Sequence, residues 1–406
     1  MPTLKERRML ASAEGWGPAF HEQEYEQRKR RTLKVMAARG IDTLLVTSPV
    51  NIAYLTGYDM VWYYLRTPTA LALNVRDGVT LFFELSYHEP TVAYHAVVDE
   101  LCCFETFHCA VDTLLKEFDS RRWTPGRVAL ESWSRNPNGN VLDEINNGLK
   151  ARGSEIVDGS WIVDDLRLIK SAPEVEVMRR AARIADAAMV EVAEQIRLGM
   201  TEIELAGVSL AAMMREGGGD PAIRVAVRSG PRFMARHSAP SLRKLGAGEL
   251  VWVNFCGSYH RYHADLGRLF SIGEPDERWA LLLEKASGVA DEVLAACSPG
   301  QSTQSLQDAA EAGIDAEGLR DQSVLIGGYD MGLAIPPDWV GHTFTQSSRG
   351  FTVASYHPGM ATNFEMLFKA GANWRGGAGG GFIDTILMGP TGLEVLSSLP
   401  RSIGVV

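Results

Sequence analysis

The chain has 406 residues, of which 46% are hydrophobic and 22% are charged, and its formal net charge at pH 7 is −10. This length and composition are typical of a globular protein with two or three domains and argue against a disordered chain. The acidic balance disfavours nucleic acid as a partner, because nucleic acids bind to basic surfaces.

Cysteine usage and the lack of long apolar runs indicate a cytoplasmic protein. The five cysteines form no Cys-x-x-Cys pair, and an odd count suits a reducing compartment better than a disulfide framework. Residues 1–8 are charged and lead into no apolar segment, so we expect no signal peptide. Since no stretch approaches about 18 consecutive apolar residues, we also expect no membrane partner.

Helix-like and strand-like patterns alternate along the first part of the chain. A charged segment with apolar positions predicts a helix over residues 22–39, which ends at Gly40. Short apolar runs bounded by turn residues predict strands at 43–47, 70–74 and 79–83. The alternation continues to Val157 and indicates an α/β domain.

The second part begins after a crossover segment at residues 158–171. Acidic residues after Pro173 predict the start of a long helix. The final third is rich in strand patterns and glycine, and we expect the glycine-rich run 376–381 to form a loop or tight hairpin. The remaining predicted elements are helices at 174–196, 202–216 and 278–296 and strands at 223–227, 249–255 and 266–272.

Several segments, in order and spacing, resemble the pita-bread family, which includes methionine aminopeptidase, prolidase, creatinase and ectoine hydrolase. The segments are Gly40–Val46 followed by Asn51–Tyr58, Leu168–Glu174, Tyr262–Arg268, and Pro358–Met360 with Glu365. The resemblance implies an α+β fold. An N-terminal creatinase-like α/β domain would span residues 1–160, and a C-terminal pita-bread catalytic domain would span residues 161–406.

The metalloenzymes of this family hold two metals with two aspartates, a histidine and two glutamates. The matching positions here are Asn254, Asp265, Tyr329, Glu365 and Ile383. An amide, a phenol and an isoleucine thus replace three ligands, whereas a divalent cation requires several converging anionic oxygens or imidazoles. We therefore expect no metal and no other cofactor.

The segments around Tyr329 and Tyr259–Ala264 look most like those of the ectoine hydrolase branch, which, like creatinase, works without metal. The resemblance implies that His237 is the general base, and an imidazole suits proton abstraction near pH 7. Glu365 has a counterpart in creatinase but not in ectoine hydrolase. A second substrate-binding glutamate of creatinase falls on Gly267. These departures leave the substrate open.

Two further catalytic roles follow from the resemblance, each with a structural alternative. Glu365 lies in an apolar strand and would bind or protonate a substrate nitrogen; alternatively, it forms an inter-strand salt bridge. Tyr329 would donate a hydrogen bond to a developing oxyanion; alternatively, it only packs in the core.

Six other residues in the two domains are candidates for binding the substrate. Asp265 and His263 alternate along one strand and therefore point to the same side, which is either a binding surface or a hydrated strand face. Asp338 and Trp339 follow two prolines and either line a pocket or cap a turn. Trp62 and Arg66 of the N-terminal domain complete the group.

Trp62 and Arg66 belong to an aromatic and basic cluster in the N-terminal domain. In creatinase-like dimers this region of one subunit reaches the active site of the other, so the resemblance implies a homodimer. Arg66 would clamp a substrate carboxylate through its planar fork. The alternative is a surface arginine beside core aromatics.

Together these features predict a metal-independent hydrolase of a non-peptide C–N bond in a small, carboxylated compound, with His237 as the base. One alternative is a lyase or cyclisation catalyst in which the same base removes a C–H proton. Another is a non-catalytic pita-bread domain that binds proteins. A pocket that retains polar, titratable residues would favour an enzyme, whereas a smooth apolar groove would favour a binding module.

Overall fold

The computed structural model describes residues 2–60, 68–134, 136–336, 339 and 354–406. The chain divides into two compact units, Met1–Arg167 and Leu168–Val406. Within the described residues, no helix combines the length and the apolar character that crossing a membrane requires.

The first unit is built on a six-stranded mixed sheet. Its strand order is β4-β3-β2-β1-β5-β6, and β2 runs antiparallel to both of its neighbours while the other pairs are parallel. The strands are β1 Thr43–Val46, β2 Ala70–Asn74, β3 Thr80–Leu85, β4 Glu100–Phe104, β5 Arg127–Leu130 and β6 Glu155–Asp158.

Helices flank this sheet and bury apolar stripes against it. In α5, Leu114, Leu115 and Phe118 recur at helical spacing and join the core formed by the central strands. The helices are α1 Leu4–Ala13, α2 Glu22–Ala38, α3 Pro49–Thr56, α4 Glu89–His95, α5 Ala110–Ser120, α6 Gly139–Ala151 and α7 Ile162–Leu168.

The second unit contains an eight-stranded sheet and four helices among its described residues. The main strand order is β10-β11-β12-β9-β8-β7, all antiparallel, while β13 pairs with β12 and β14 with β9. The helices are α8 Ala172–Gln195, α9 Glu202–Arg215, α10 Glu277–Ala296 and α11 Thr303–Ala316; the strands are β7 Ala226–Ser229, β8 Leu250–Tyr259, β9 Tyr262–Ser271, β10 Ser323–Gly327, β11 Ala361–Lys369, β12 Gly379–Met388, β13 Leu393–Val395 and β14 Gly404–Val405.

Strand alternation gives the central strands of this sheet two different faces. On β8, Val251, Val253 and Phe255 pack in a core with residues of α8 and α9. Because successive side chains point to opposite faces, Asn254 and Cys256 point to the other face of the strand. That second face carries the polar side chains of the candidate site.

The predicted α+β architecture is confirmed, with local corrections. The final third was expected to be β-rich, yet α11 lies at its start, with Leu306, Ala310 and Ile314 buried one turn apart. The crossover segment at 158–171 contains the helix α7. Pro49 ends the preceding strand as expected but also occupies the first turn of α3, where its missing N–H costs no hydrogen bond.

The glycine-rich run, predicted to be a loop or tight hairpin, lies at the connection between the antiparallel strands β11 and β12, and its last three residues begin β12. A Cβ on Gly379 would lie 2.1 Å from Cδ1 of Phe233, and one on Gly381 would lie 2.2 Å from the carbonyl oxygen of Met366. Only glycine allows such close approach, so packing explains a composition that alone suggests a turn.

Candidate active site

A single row of paired positions crosses the sheet of the second unit. Asn254 on β8 lies opposite Gly267 on β9, which lies opposite Ile383 on β12. Ile383 in turn pairs with Glu365 on β11, and Glu365 pairs with Gly327 at the end of β10. Residues more than a hundred positions apart in the sequence are thereby brought to one place.

Asp265 is the centre of the polar cluster on this face. Its side chain is buried, and its Oδ1 accepts hydrogen bonds from Nδ2 of Asn254 at 2.6 Å and Sγ of Cys256 at 3.4 Å. Its Oδ2 accepts from the Tyr329 hydroxyl and from Nδ2 of Asn363, both at 3.3 Å. These four neutral donors offset part of the cost of burying a carboxylate.

Glu365 is the second buried carboxyl group of the cluster. Nδ2 of Asn363 donates to its Oε1 at 2.5 Å as well as to Asp265, so one amide bridges both groups. Burial, followed by the negative charge of Asp265, raises the pKa of Glu365 to about 7. Burial also raises the pKa of Asp265. The pair can therefore hold and release a proton near neutral pH.

Tyr329 and Trp339 form a chain of donors that ends on Asp265. Nε1 of Trp339 donates to the Tyr329 hydroxyl at 3.2 Å, and the backbone N–H of Tyr329 donates to Oδ1 of Asn363 at 2.7 Å. Burial raises the pKa of the Tyr329 phenol well above its ordinary value, so it stays protonated and remains a donor. To serve an oxyanion, the hydroxyl would have to turn away from Asp265.

His263 is buried on the same face as Asp265, as the strand alternation predicted. Its Nε2 accepts a hydrogen bond from the backbone N–H of Ala222 at 2.9 Å, and the ring of Trp339 packs against it nearly perpendicularly. Burial lowers the pKa of His263 to about 4, so the imidazole is neutral at pH 7. This position is not a hydrated strand face.

His237 lies outside this hydrogen-bonded cluster. It follows the short 3₁₀ helix Gly230–Met234, is exposed, and has a left-handed φ of 59°. In the described part of the chain no hydrogen bond or ion pair joins it to Glu365 or Asp265, and the next strand begins only at Leu250. Its role as the base stays a prediction.

Three of the predicted site residues fall in parts of the chain that the structure does not describe. Trp62, Arg66 and Asp338 lie outside the described residues. Their predicted contributions to a shared dimer site and to a pocket loop therefore stay predictions.

The structure adds three residues to those predicted. Asn363 precedes Glu365 by two positions in a strand, so period-two alternation would have placed both on one face. Arg228 and Arg236 also act electrostatically on this cluster. Arg228 could have been noticed in the sequence because it is a charged residue within the buried strand β7. No feature of the sequence pointed to Arg236.

The donor set does not fit a dinuclear metal site. Of the five positions that match the family's metal ligands, only Asp265 and Glu365 present anionic groups, and neutral donors already engage both oxygens of Asp265. Among residues 2–60, 68–134, 136–336, 339 and 354–406, no group of three or more His, Cys, Asp or Glu side chains converges to hold a metal ion.

The space beside these positions is also filled by apolar groups. A Cβ on Gly267 would lie 2.5 Å from Cη2 of Trp252 and 3.1 Å from Cβ of Ile383. The tryptophan ring and the isoleucine thus pack over the middle of the row, where the metalloenzymes of the family would need converging ligands.

Sequence comparison links both parts of the chain to known families. The profile of metallopeptidase family M24 matches residues 176–390, and that of the creatinase/prolidase N-terminal domain matches residues 28–169. Ectoine hydrolase of Halomonas elongata is 26% identical over 418 residues, covering 95% of this chain and 98% of that protein. The Xaa-Pro dipeptidase of Pyrococcus furiosus is 24% identical over 314 residues, covering 76% of this chain and 83% of that protein.

Structural comparison finds the same fold in peptidases. An X-Pro aminopeptidase from Thermotoga maritima matches with a TM-score of 0.79 at 21% identity, covering 93% of this chain and 99% of that one. An Xaa-Pro dipeptidase from Bacillus anthracis matches with a TM-score of 0.80 at 20% identity, covering 94% and 100%. At such identities the likeness shows the fold and does not distinguish between activities.

Proposed function

Because the chain belongs to metallopeptidase family M24, we propose that it is a hydrolase that cleaves a non-peptide C–N bond in a small carboxylated compound without a metal. One observation carries this function. The two buried carboxyl groups, Asp265 and Glu365, are held by amide, phenol and thiol donors rather than by further carboxylates and imidazoles.

Glu365 is proposed as the group that binds or protonates the leaving nitrogen. Its raised pKa keeps a substantial protonated fraction near neutral pH, which a proton donor requires. In the hydrolysis, water supplies a hydroxyl to the carbon and the C–N electron pair takes up the proton from Glu365. The Tyr329 hydroxyl, once turned away from Asp265, would stabilise the developing oxyanion.

His237 is proposed as the base that removes a proton from the attacking water. Its neighbour Arg236 lowers the pKa of Glu365 through its positive charge, which supports a place for His237 near the carboxyl cluster. Exposure to solvent keeps the imidazole available to a water molecule, although no described contact holds it in position.

The comparisons support two competing substrate classes. Ectoine hydrolase matches over nearly the whole chain, which supports a non-peptide C–N bond. The Xaa-Pro dipeptidase of Pyrococcus furiosus supports cleavage of a peptide bond next to proline, an activity for which the metal site would have to be rebuilt from other residues. The altered donor set favours the first class.

Activity in the presence of a chelator separates these two classes. The purified full chain is treated with EDTA and assayed with ectoine, with related cyclic carboxylates and with Ala-Pro, each with and without added Mn²⁺ or Zn²⁺. We expect turnover of a non-peptide substrate that EDTA does not abolish. Cleavage of Ala-Pro that depends on added metal, together with stoichiometric bound metal, would contradict the proposed function.

Isotope labelling of the product separates hydrolysis from the lyase and cyclisation alternatives. In H₂¹⁸O, a hydrolase places one labelled oxygen in the product for each C–N bond broken, whereas a lyase or cyclase places none. Unlabelled product from an active preparation would assign the same residues to elimination chemistry.

The His237→Ala variant tests the base directly. Losing a positioned base should lower turnover by about 10²–10⁴-fold, while substrate binding changes far less. Met234→Ala, on the same exposed segment, is the matched control and should keep the parent rate. A turnover of His237→Ala close to that of the parent would show that another group serves as the base.

A homodimer remains part of the proposed function. The supporting feature is the aromatic and basic sequence around Trp62 and Arg66, which is placed as in creatinase-like dimers. Light scattering at micromolar concentration tests it, and a fully active monomer would contradict it.

A further inference from the structure

The segment 228–243 carries four arginines, two of which have carboxylate partners. Arg232 forms an ion pair with Glu202, which is fully buried and also accepts hydrogen bonds from neighbouring serines. Arg243 forms an ion pair with Glu249. These two pairs join the segment to the start of α9 and to the residue before β8, and they explain two of its positive charges structurally.

The other two arginines, Arg228 and Arg236, form no ion pair within the described residues. Arg228 is only 6% exposed, and its Nε is buried without a hydrogen-bond partner there. One of its terminal nitrogens donates to the carbonyl of Phe233 at 2.9 Å. In Arg236 a terminal nitrogen is likewise buried without a partner among the described residues. A buried guanidinium with unused donors is costly unless a ligand completes it.

Both arginines lie near the carboxyl cluster. Arg228 sits on β7 opposite Trp252, on the same sheet face as Asn254. The charge of Glu365 acts on Arg228, and the charge of Arg236 acts on Glu365. Yet neither arginine comes within ion-pair distance of Glu365 in the described structure. Within the described residues, the two positive groups therefore act on the carboxyl group without neutralising it by contact.

The positive charges of the two arginines also repel each other. Burial, followed by the positive charges of Arg236 and Arg232, lowers the pKa of Arg228 to about 10. An anion between Arg228 and Arg236 would relieve this repulsion and would use the free N–H donors. A planar carboxylate fits a guanidinium in two parallel hydrogen bonds.

We propose that Arg228 and Arg236 form the subsite that binds the carboxylate of the substrate, so that its scissile C–N bond points towards Glu365. This inference rests on the proposed function only for the C–N bond of the substrate. The carboxylate is inferred from the two arginines themselves. It places a carboxylate clamp within the second unit itself, independently of Arg66.

Paired probes test the subsite without requiring turnover. The full-length parent is titrated calorimetrically with N-acetylglycine and with proline, and in parallel with their primary amides, N-acetylglycinamide and prolinamide. We expect each acid to bind more tightly than its amide. Arg228→Gln and Arg236→Gln should each weaken binding of the acids by about 10–100-fold and leave binding of the amides unchanged.

Two further variants separate carboxylate binding by the arginine fork from the general effect of a nearby positive charge. Arg224→Gln removes a charge from an exposed position just before β7 and should bind the acids like the parent. Arg228→Lys keeps the buried charge but loses the fork, so it should fold like the parent and still bind the acids more weakly. Sulfate is added as a competitor, because a non-specific anion site would prefer it to the acids.

The proposed subsite is overturned if acids show no advantage over amides in the parent, whether both bind or neither binds. Equal losses in Arg224→Gln and Arg228→Gln, or full displacement of the acids by equimolar sulfate, would overturn it as well. Loss of the C–N hydrolase activity with retained acid binding would instead contradict only the proposed function.

Discussion

Two buried acidic clusters lie on opposite faces of the sheet of the second unit, and they are built in different ways. On one face of β9 and β12, Asp384 forms ion pairs with Arg268 and Arg401, each with a distance of 2.6 Å between a guanidinium nitrogen and a carboxylate oxygen. On the other face, the hydrogen bonds that Asp265 and Glu365 receive from described residues come from neutral donors. A carboxylate that is paired with buried arginines stays ionised and serves the stability of the fold. Two neighbouring carboxyl groups with neutral partners can instead gain or lose a proton.

The two clusters also differ in how the neighbouring arginines interact with the carboxyl groups. Around Asp384 the cations are in direct contact with the carboxylate, and Arg401 also reaches Asp291. Around Glu365 the cations Arg228 and Arg236 form no ion pair with the carboxyl group within the described residues, and they influence it through space. The first cluster is therefore neutralised by direct contact, whereas the second is not.

The largest expected effect comes from Glu365→Gln. The amide keeps the size of the side chain but cannot donate a proton, so turnover should fall by about 10²–10⁴-fold. No buried cation among the described residues loses a contact, so below pH 4.5, where Glu365 is protonated in the parent, the free energy of unfolding should change by no more than about 1 kcal/mol. Rate measurements with a substrate from the chelator assay, together with urea denaturation, test both statements. A rate near that of the parent would remove Glu365 from the chemistry.

The matching change in the other cluster, Asp384→Asn, should have the opposite profile. It leaves Arg268 and Arg401 buried without their carboxylate, which should lower the free energy of unfolding by about 3–5 kcal/mol. Turnover per folded molecule should stay close to that of the parent. If Asp384→Asn instead left stability intact and lowered the rate, the division between a structural and a chemical cluster would be wrong.

The smallest effect is the contribution of Glu365 to the pH dependence of stability. Its pKa rises from an ordinary 4.5 to about 7 on folding, so the folded state binds more protons than the unfolded state between these values. Stability due to this group is fully present below pH 4.5 and is lost as the pH rises to about 7. The total loss should be on the order of 3 kcal/mol.

Comparing the parent with Glu365→Gln isolates this contribution. Denaturation curves collected across the same pH range should diverge by that amount, with the parent losing stability relative to the variant as the pH rises. Parallel curves would show that Glu365 titrates as an ordinary carboxyl group and that its burial does not favour the protonated form.

Sequence patterns predicted much of the scaffold because these patterns are local. The start of α8 is an example: Ser171 and Glu174 form a reciprocal capping box around Pro173. Alternation placed His263 and Asp265 on one face, and the same rule would have added Asn363 to Glu365. It could not show that His263 would be buried against Trp339, because burial depends on segments distant in sequence.

The sequence by itself determined the family, the α+β architecture and the replacement of three metal-ligand types, since each depends only on residue identity and spacing. The tertiary structure decided which charged side chains have an ion-pair partner. In the sequence Arg228, Arg232, Arg236 and Arg243 look alike, and only the fold pairs two of them with glutamates. The tertiary fold also decided that Glu365 lies beside Asp265, because strand register is set by packing across the whole sheet and not by any local pattern.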